Sequence, residues 1–190
     1  MHTQYINELL DLPELKIHQI LSIDADEVHI EAVPLGDKQC CPCCGSHQAV
    51  IRKGRNNMRR IRHLCVFEKK TYLHVPSIRM YCTRCEAGFV WAYEFVGPRQ
   101  RYSKIFRSHA VEQALGSTAA YSARMQQAPA STIQRIHHEA VPAEGERIYK
   151  QVWEEAKEME ELVLGVDDFA VKKGHTYNTI VAHDVKTIFS

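Results

Sequence analysis

Two cysteine clusters constrain this chain more than any other feature. The first reads Cys40-Cys41-Pro42-Cys43-Cys44-Gly45 and the second Cys82-Thr83-Arg84-Cys85. Each contains a Cys-x-x-Cys spacing, which lets two thiolates reach one ion from a single tight turn. Two such turns complete the four-sulfur tetrahedron that Zn²⁺ favours. The chain has seven cysteines, an odd number, and six of them lie in the clusters. That distribution fits metal ligation in a reducing compartment better than a disulfide framework. The expected ligands are Cys41, Cys44, Cys82 and Cys85, with Gly45 directly after the second to supply a positive φ. Cys40 and Cys43 share the spacing, so the register within the first cluster stays open, and Cys65 and His47 stand as substitutes. Cys65 reads better as a small buried apolar residue. Four thiolates would close the shell, which makes the ion structural.

The stretch that the clusters bracket must fold as strands. The sequence before them, "YINELLDL" and then "LKIHQILSIDADEVHIEAVP", predicts a short helix and two strands about the turn "DADE". "TYLHVPSIRMY" predicts a further strand, placed on an edge or bulged by Pro76. From Ser103 the period becomes helical. "SKIFRSHAVEQAL" has Ser103 as N-cap and Gly116 as terminator, "STAAYSARM" is a second helix, and "ASTIQRIHHEAV" a third that Pro142 ends. "EGERIYKQVWEEAKEMEE" predicts a fourth, acidic helix, and residues 164–190 close the chain as two strands. The expected class is α+β. The expected divisions are residues 1–37 (helix and strands), 38–98 (a β-rich zinc-binding basic region), 99–143 (a helical DNA-binding region), 144–161 (a linker helix) and 162–190 (a final β segment).

Charge is segregated along the chain. The net charge is +1. Residues 1–37 carry eight acids and one base, residues 38–107 carry fifteen Lys/Arg against three acids, and residues 144–162 carry seven acids and three bases. The central block has the electrostatic footprint of a polyanion-binding surface. Its densest part is "IRKGRNNMRRIRHL", where Arg52, Lys53, Arg55, Arg59, Arg60 and Arg62 are candidate phosphate contacts. The plainer reading leaves some of them as a solvated face. No run of 18 apolar residues is present, and the first residues lack a basic region ahead of an apolar core. No membrane span and no secretory signal are therefore expected, and the cytoplasm is the default compartment.

"STAAYSARMQQAPASTIQRIHHEA" has the length and punctuation of a helix-turn-helix. Ala119, Ala120 and Ala123 would let its first helix approach a neighbour, and Ile133 and Ile136 would bury the second. Ser131, Thr132, Gln134 and Arg135, with His138, then lie on the outward side near the start of the second helix. In this motif that position reaches base edges and phosphates. The plainer reading is a helical hairpin in a bundle. In the last segment Leu162–Val166 is an apolar strand broken by Asp167, with Asp168 on the opposite face. A carboxylate there is costly unless paired or bound to metal. Asp167 is thus a candidate Mg²⁺ ligand of a phosphoryl-transfer site, or else the cap of a turn. "KKGHTY" predicts a hairpin turn around Gly174, and Asp184 ends the second strand.

With these pieces in order, the chain resembles the N-terminal part of transposases of the ISL-three insertion-sequence family. The matching stretches are "CPCCG" (41–45), "RMYCTRC" (79–85), "STAAYSARMQQAPASTIQRIH" (117–137) and, most specific, "LGVDDFAVKKGHTYNTIVAHD" (164–184). The resemblance implies an N-terminal zinc finger, a helix-turn-helix and the first hairpin of an RNase H-like domain with an Asp-Asp-Glu triad. Asp167 falls on the first catalytic aspartate and Cys41, Cys44, Cys82 and Cys85 on the zinc ligands. Asp168 stands where the family often has Glu, and Cys40 and Cys43 are extra to its pattern. The second aspartate and the glutamate of the triad would lie beyond Ser190, so the chain is expected to be C-terminally truncated and inactive alone. The implied cofactors are structural zinc and, in the full-length context, magnesium. The implied partners are double-stranded DNA at the element's terminal inverted repeats and further copies of the protein on that DNA. Two other expectations compete. One is a stand-alone DNA-binding regulator of transposition, and the other a zinc-braced protein-interaction module.

Overall fold

The structure is a computed structural model that describes residues 2–158, 164–172 and 176–183, with side chains described for 6–54 and 57–158. It is a mixed α+β protein that divides into two compact units, 1–139 and 140–190.

The first unit opens with α1 (His2–Leu10), followed by β1 (Leu15–Ile23) and β2 (Glu27–Pro34), an antiparallel pair about the expected turn. β3 (Val50–Arg62) and β4 (Lys70–Cys82) form a long antiparallel pair, and β5 (Ala87–Val90) returns along the end of β4. One five-stranded sheet holds them all, in the order β1-β2-β4-β3 with β5 added to β4. Residues 1–37 are therefore not a separate region: β2 runs parallel to β4 from Glu27↔Lys70 to Glu31↔His74, inside the sheet that carries the cysteine turns. Asn7 of α1 covers the outer edge of β1, donating from Nδ2 to the Leu15 carbonyl and accepting from the Ile17 N–H. An otherwise open strand edge is thereby paired.

β4 is the central strand of this sheet, not the edge strand that Pro76 predicts. Proline is tolerated because it sits where partners change. The pairing with β2 ends at His74, the pairing with β5 covers Arg79 to Cys82, and β3 is irregular between Arg55 and Met58, just where it faces Pro76. The bulge that Pro76 implies thus falls on the neighbouring strand. Alternation along β4 sends Thr71, Leu73, Val75, Ile78, Met80 and Cys82 into the core. Leu10, Leu12, Leu15, Ile17, Ile30, Ala32, Val50 and Ile61 meet them there. The segment after β5 closes the core with Trp91, Tyr93, Phe95 and Val96. Glu14 holds that segment down, its carboxylate accepting from the Glu94 and Phe95 N–H groups at 2.9 and 2.7 Å.

Three helices follow. α2 (Lys104–Leu115) starts at Ser103, whose hydroxyl accepts from the Phe106 N–H, and ends at Gly116. α3 (Ala119–Met125) is capped in the same way by Thr118. α4 (Ala130–Lys157) is a single helix of 28 residues. The expected break at Pro142 does not occur, so the third helix and the linker helix are one element. Proline removes one backbone hydrogen bond and crowds the preceding turn, a cost of about 3 kcal/mol. The helix continues through it, with Arg147 paired to Glu144 at 2.7 Å on the next turn. α3 packs on α2 through Ser122, which donates to the Ala110 carbonyl at 2.8 Å, and through Ala123. Ala120 is exposed. Ile133 and Ile136 of α4 are fully buried, as expected.

Two buried polar side chains join helices to sheet. Arg62, 4% exposed, donates to the His63 and Gln126 carbonyls at 3.1 and 3.2 Å, and its guanidinium lies over the rings of Tyr72 and Phe106. His63 Nδ1 lies 2.9 Å from the Ser103 hydroxyl, and the Leu10 carbonyl also hydrogen-bonds to the ring. The second unit contains the end of α4 and the antiparallel pair β6 (Leu164–Lys172) and β7 (Thr176–His183).

Burial is the chief reason that the His63 imidazole titrates below its usual value of 6.5, with the Leu10 carbonyl pulling the other way. The unfolded chain therefore takes up this proton first. The stabilisation is complete above pH 6.5 and declines as pH falls below it toward the lowered folded value. Thermal unfolding should show wild type losing more stability than His63→Gln between about pH 7 and about pH 5. Parallel melting curves for the two proteins across that range would remove His63 from the account.

Candidate metal centre and nucleic-acid interface

The four sulfurs of Cys41, Cys44, Cys82 and Cys85 converge, all within 4.8 Å of one another. The Cys41 and Cys85 sulfurs are 3.9 Å apart and those of Cys44 and Cys82 are 3.8 Å apart. A tetrahedron with Zn–S bonds of about 2.3 Å has edges of about 3.8 Å, so the donor set fits Zn²⁺ in kind and in size. The open register is thereby resolved in favour of Cys41 and Cys44. Cys40 and Cys43 are exposed and outside the cluster, and His47 does not join it. Cys65 is half-buried, with its sulfur 3.4 Å from Arg62 Nη2.

Local folding explains the convergence. The first turn is closed by the Gly45 N–H donating to the Cys41 carbonyl at 2.9 Å and the Cys41 N–H to the Ser46 carbonyl at 3.0 Å. Gly45 sits at φ +68°, a region that strains other residues. Cys82 is the last residue of β4, held between Val50 of β3 and Ala87 of β5. The Thr83 N–H donates across to the Ala49 carbonyl, which ties the two cysteine turns together.

The electrostatics are those of a cation site. The backbone N–H groups of Cys44 and Cys43 point at the Cys41 sulfur and, against burial, pull its thiol down to about 6. The Cys85 thiol is pushed up to about 12, first by its hydrogen bond to Cys44 and then by burial. Cys43, outside the cluster, is pushed up chiefly by the Cys41 charge. Without a cation the four sulfurs share protons; a divalent ion displaces those protons and uses all four. The cluster supports a structural zinc.

The expected DNA contacts are placed less uniformly. Arg52, Lys53 and Arg60 are exposed on β3. Lys53 lies over the Tyr81 ring at 5.2 Å and Arg60 over the Tyr72 ring at 5.0 Å, so flat aromatic faces hold both cations up to solvent. Arg59 turns back to donate to the Gln100 carbonyl at 3.1 Å. Arg62 is a correction, because its burial and its internal acceptors leave it no surface to offer a phosphate. The side chain of Arg55 lies outside the described residues. On α4, Ser131, Gln134 and Arg135 are exposed and Thr132 half-buried, within the first turns. Asp167 and Asp168 pair in register with Ile180 and Thr179, while their side chains, Gly174 and Asp184 lie outside the described residues.

Residues that the sequence reading passed over complete the basic surface. Arg99 and Arg101 in the loop before α2, and Arg107 on α2, line a cleft of about 530 Å³ with Thr132, Arg135 and Glu139 of α4. The signal was present as "PRQRYSKIFR", but it reads as punctuation unless the helices are known to fold back over it.

Comparison with known proteins agrees with this geometry. Residues 37–85 match the zinc finger of the transposases of IS204, IS1001, IS1096 and IS1165. The match starts ahead of the first cysteine turn and ends on Cys85. Over this region the chain is similar to the zinc ribbon of the ISL-three transposases. It is 28% identical over 152 residues to the transposase for insertion sequence element IS1001 of Bordetella parapertussis, an alignment that covers 80% of this chain and 35% of that protein. The chain thus spans about a third of the length of this curated relative. No solved structure matches it. Among the described residues no helix is long and apolar enough to cross a membrane.

Zinc content separates the two cysteine registers. Purified wild type should carry about one ion per chain, Cys41→Ser and Cys82→Ser should lose it and unfold the ribbon, and Cys40→Ser and Cys43→Ser should keep it. Full zinc occupancy in the first two variants would refute the ligand assignment.

Proposed function

We propose that this chain is the DNA-end-binding portion of an insertion-sequence transposase. In this reading it binds double-stranded DNA at the terminal inverted repeats and self-associates there. The observation that carries the reading is the union of ribbon and cations. β3, the strand that bears Arg52, Lys53 and Arg60, runs directly out of the cysteine turn that matches the transposase zinc finger. The zinc-closed turns fix the strand, and the strand presents its charges as a fixed array, which suits phosphate contacts.

α3 and α4 serve as a helix-turn-helix in this reading. The turn Gln126–Pro129 links them, and Ser131, Thr132, Gln134 and Arg135 stand at the start of the second helix. Gln134 and Arg135 have the side chains that pair with adenine and guanine edges. The pair β6–β7 is read as the first hairpin of an RNase H-like catalytic domain, with Asp167 as the catalytic aspartate. A Mg²⁺ ion bound there would activate the attacking oxygen and stabilise the leaving one. One carboxylate does not hold a pair of such ions, so cleavage and strand transfer need further carboxylates than Asp167.

Binding to an inverted-repeat duplex and to a random duplex, each titrated with salt, tests this reading. Affinity for both should fall steeply as salt rises, and Arg135→Ala should cost about 1–3 kcal/mol on the inverted repeat and less on random DNA. A salt-independent interaction would reject the basic surface as a phosphate-binding one and favour a protein-interaction module.

A further inference from the structure

We propose that the cleft between the loop at 98–102 and helices α2 and α4 is a clamp for the phosphate backbone of duplex DNA, held partly closed by Glu139; this rests on the DNA-binding reading above.

Four arginines face this cleft and one carboxylate does: Arg99, Arg101, Arg107 and Arg135 against Glu139. Arg107 Nη2 meets a Glu139 oxygen at 2.7 Å and Arg135 Nη1 meets the other at 3.6 Å. Among the described residues, no carboxylate lies in ion-pair range of Arg99 or Arg101, and both are exposed. The loop that carries them is fixed in place. The Arg62 N–H donates to the Arg101 carbonyl at 2.8 Å, the Ser103 N–H to the Arg62 carbonyl at 2.9 Å, and Arg59 reaches the Gln100 carbonyl. Arg99 sits at φ +57°. Two cations are thus pre-set on a rigid support, which lowers the entropy lost when an anion binds.

Glu139 occupies the place that a phosphate oxygen would take. One carboxylate that accepts a hydrogen bond from one guanidinium and pairs with a second is the pattern that a phosphate reproduces with a further acceptor oxygen. Its carboxyl is held below its ordinary range chiefly by the hydrogen bond from Arg107, so it stays charged and repels a second anion. Arg107 is mostly covered, with 17% of its side chain exposed, and Arg135 is open at 63%. An arriving phosphate therefore meets Arg99 and Arg101 first and competes with Glu139 for Arg107. The carboxylate weakens contact with DNA of any sequence.

Two variants test this in the full chain, by fluorescence anisotropy with a labelled duplex of random sequence. Arg99→Asn, which accepts a positive φ, combined with Arg101→Gln should weaken binding about ten-fold and make the salt slope shallower by about two. Glu139→Gln should tighten binding roughly three-fold or more and steepen the slope, since it releases two guanidiniums. A gain of affinity cannot come from misfolding, and unchanged zinc content and melting temperature check the double variant. If the chain binds but both variants titrate like wild type, the clamp is rejected and the DNA-binding reading stands. If wild type fails to bind the duplex at low salt, both fall.

Discussion

Arg62 is the residue on which the arrangement of the first unit depends. Its backbone pairs with the loop before α2, its guanidinium reaches the carbonyl that ends α3, and its plane lies between the rings of Tyr72 and Phe106. A cation at 4% exposure is expensive unless its donors are used. Here two carbonyls and a thiol take them, and the aromatic faces supply the rest. No carboxylate is in ion-pair range of it among the described residues, so the contact is insensitive to the protonation of any acid. His63, next in sequence, repeats the device with a neutral ring. Consecutive residues at the end of one strand thus fix where the helices sit relative to the sheet.

That fixed point organises the basic surface. A local excess of positive charge along the sequence is not a surface until the fold sorts it. Of the candidate cations on β3, one is withdrawn into the core, one is turned to a neighbouring carbonyl, and Lys53 and Arg60 are propped on tyrosine rings. The rest of the electropositive surface comes from a loop whose backbone Arg62 holds. Cations on flexible stems lose side-chain entropy whenever they bind, and those already braced lose less. The fold therefore converts a count of charges into a smaller set of positioned ones.

How much of this was legible in the sequence follows from the range of the forces involved. The cysteine turns were legible because a four-sulfur site imposes a spacing that few other structures require. The caps at Ser103 and the burial of Ile133 and Ile136 were legible because both are set within a helix turn or two. Pro76 and Pro142 misled for one reason: the rules for proline describe the local chain, whereas partners decide its cost. At Pro76 the neighbouring strands change over, so nothing is lost. Arg62 could not be told from Arg60 by periodicity, since both stand on the same face of β3 and only the arrival of α2 and α3 over one of them separates core from surface. The arginine cleft was invisible for the same reason, being assembled from a loop and two helices far apart in the chain.

The parallel pairing of β2 with β4 has a kinetic consequence. Every other strand pairing in the sheet joins strands that follow one another, but this one brings Glu31 beside His74 across the first cysteine turn and all of β3. Closing so long a loop costs entropy before any contact repays it, and such pairings slow folding. A bond network from Cys41 and Cys44 to Cys82 and Cys85 short-circuits that loop. Once those turns are joined, the path from β2 to β4 runs through the ribbon instead of around β3. A metal ion held by those four sulfurs would thus shorten the loop that the parallel pairing has to close.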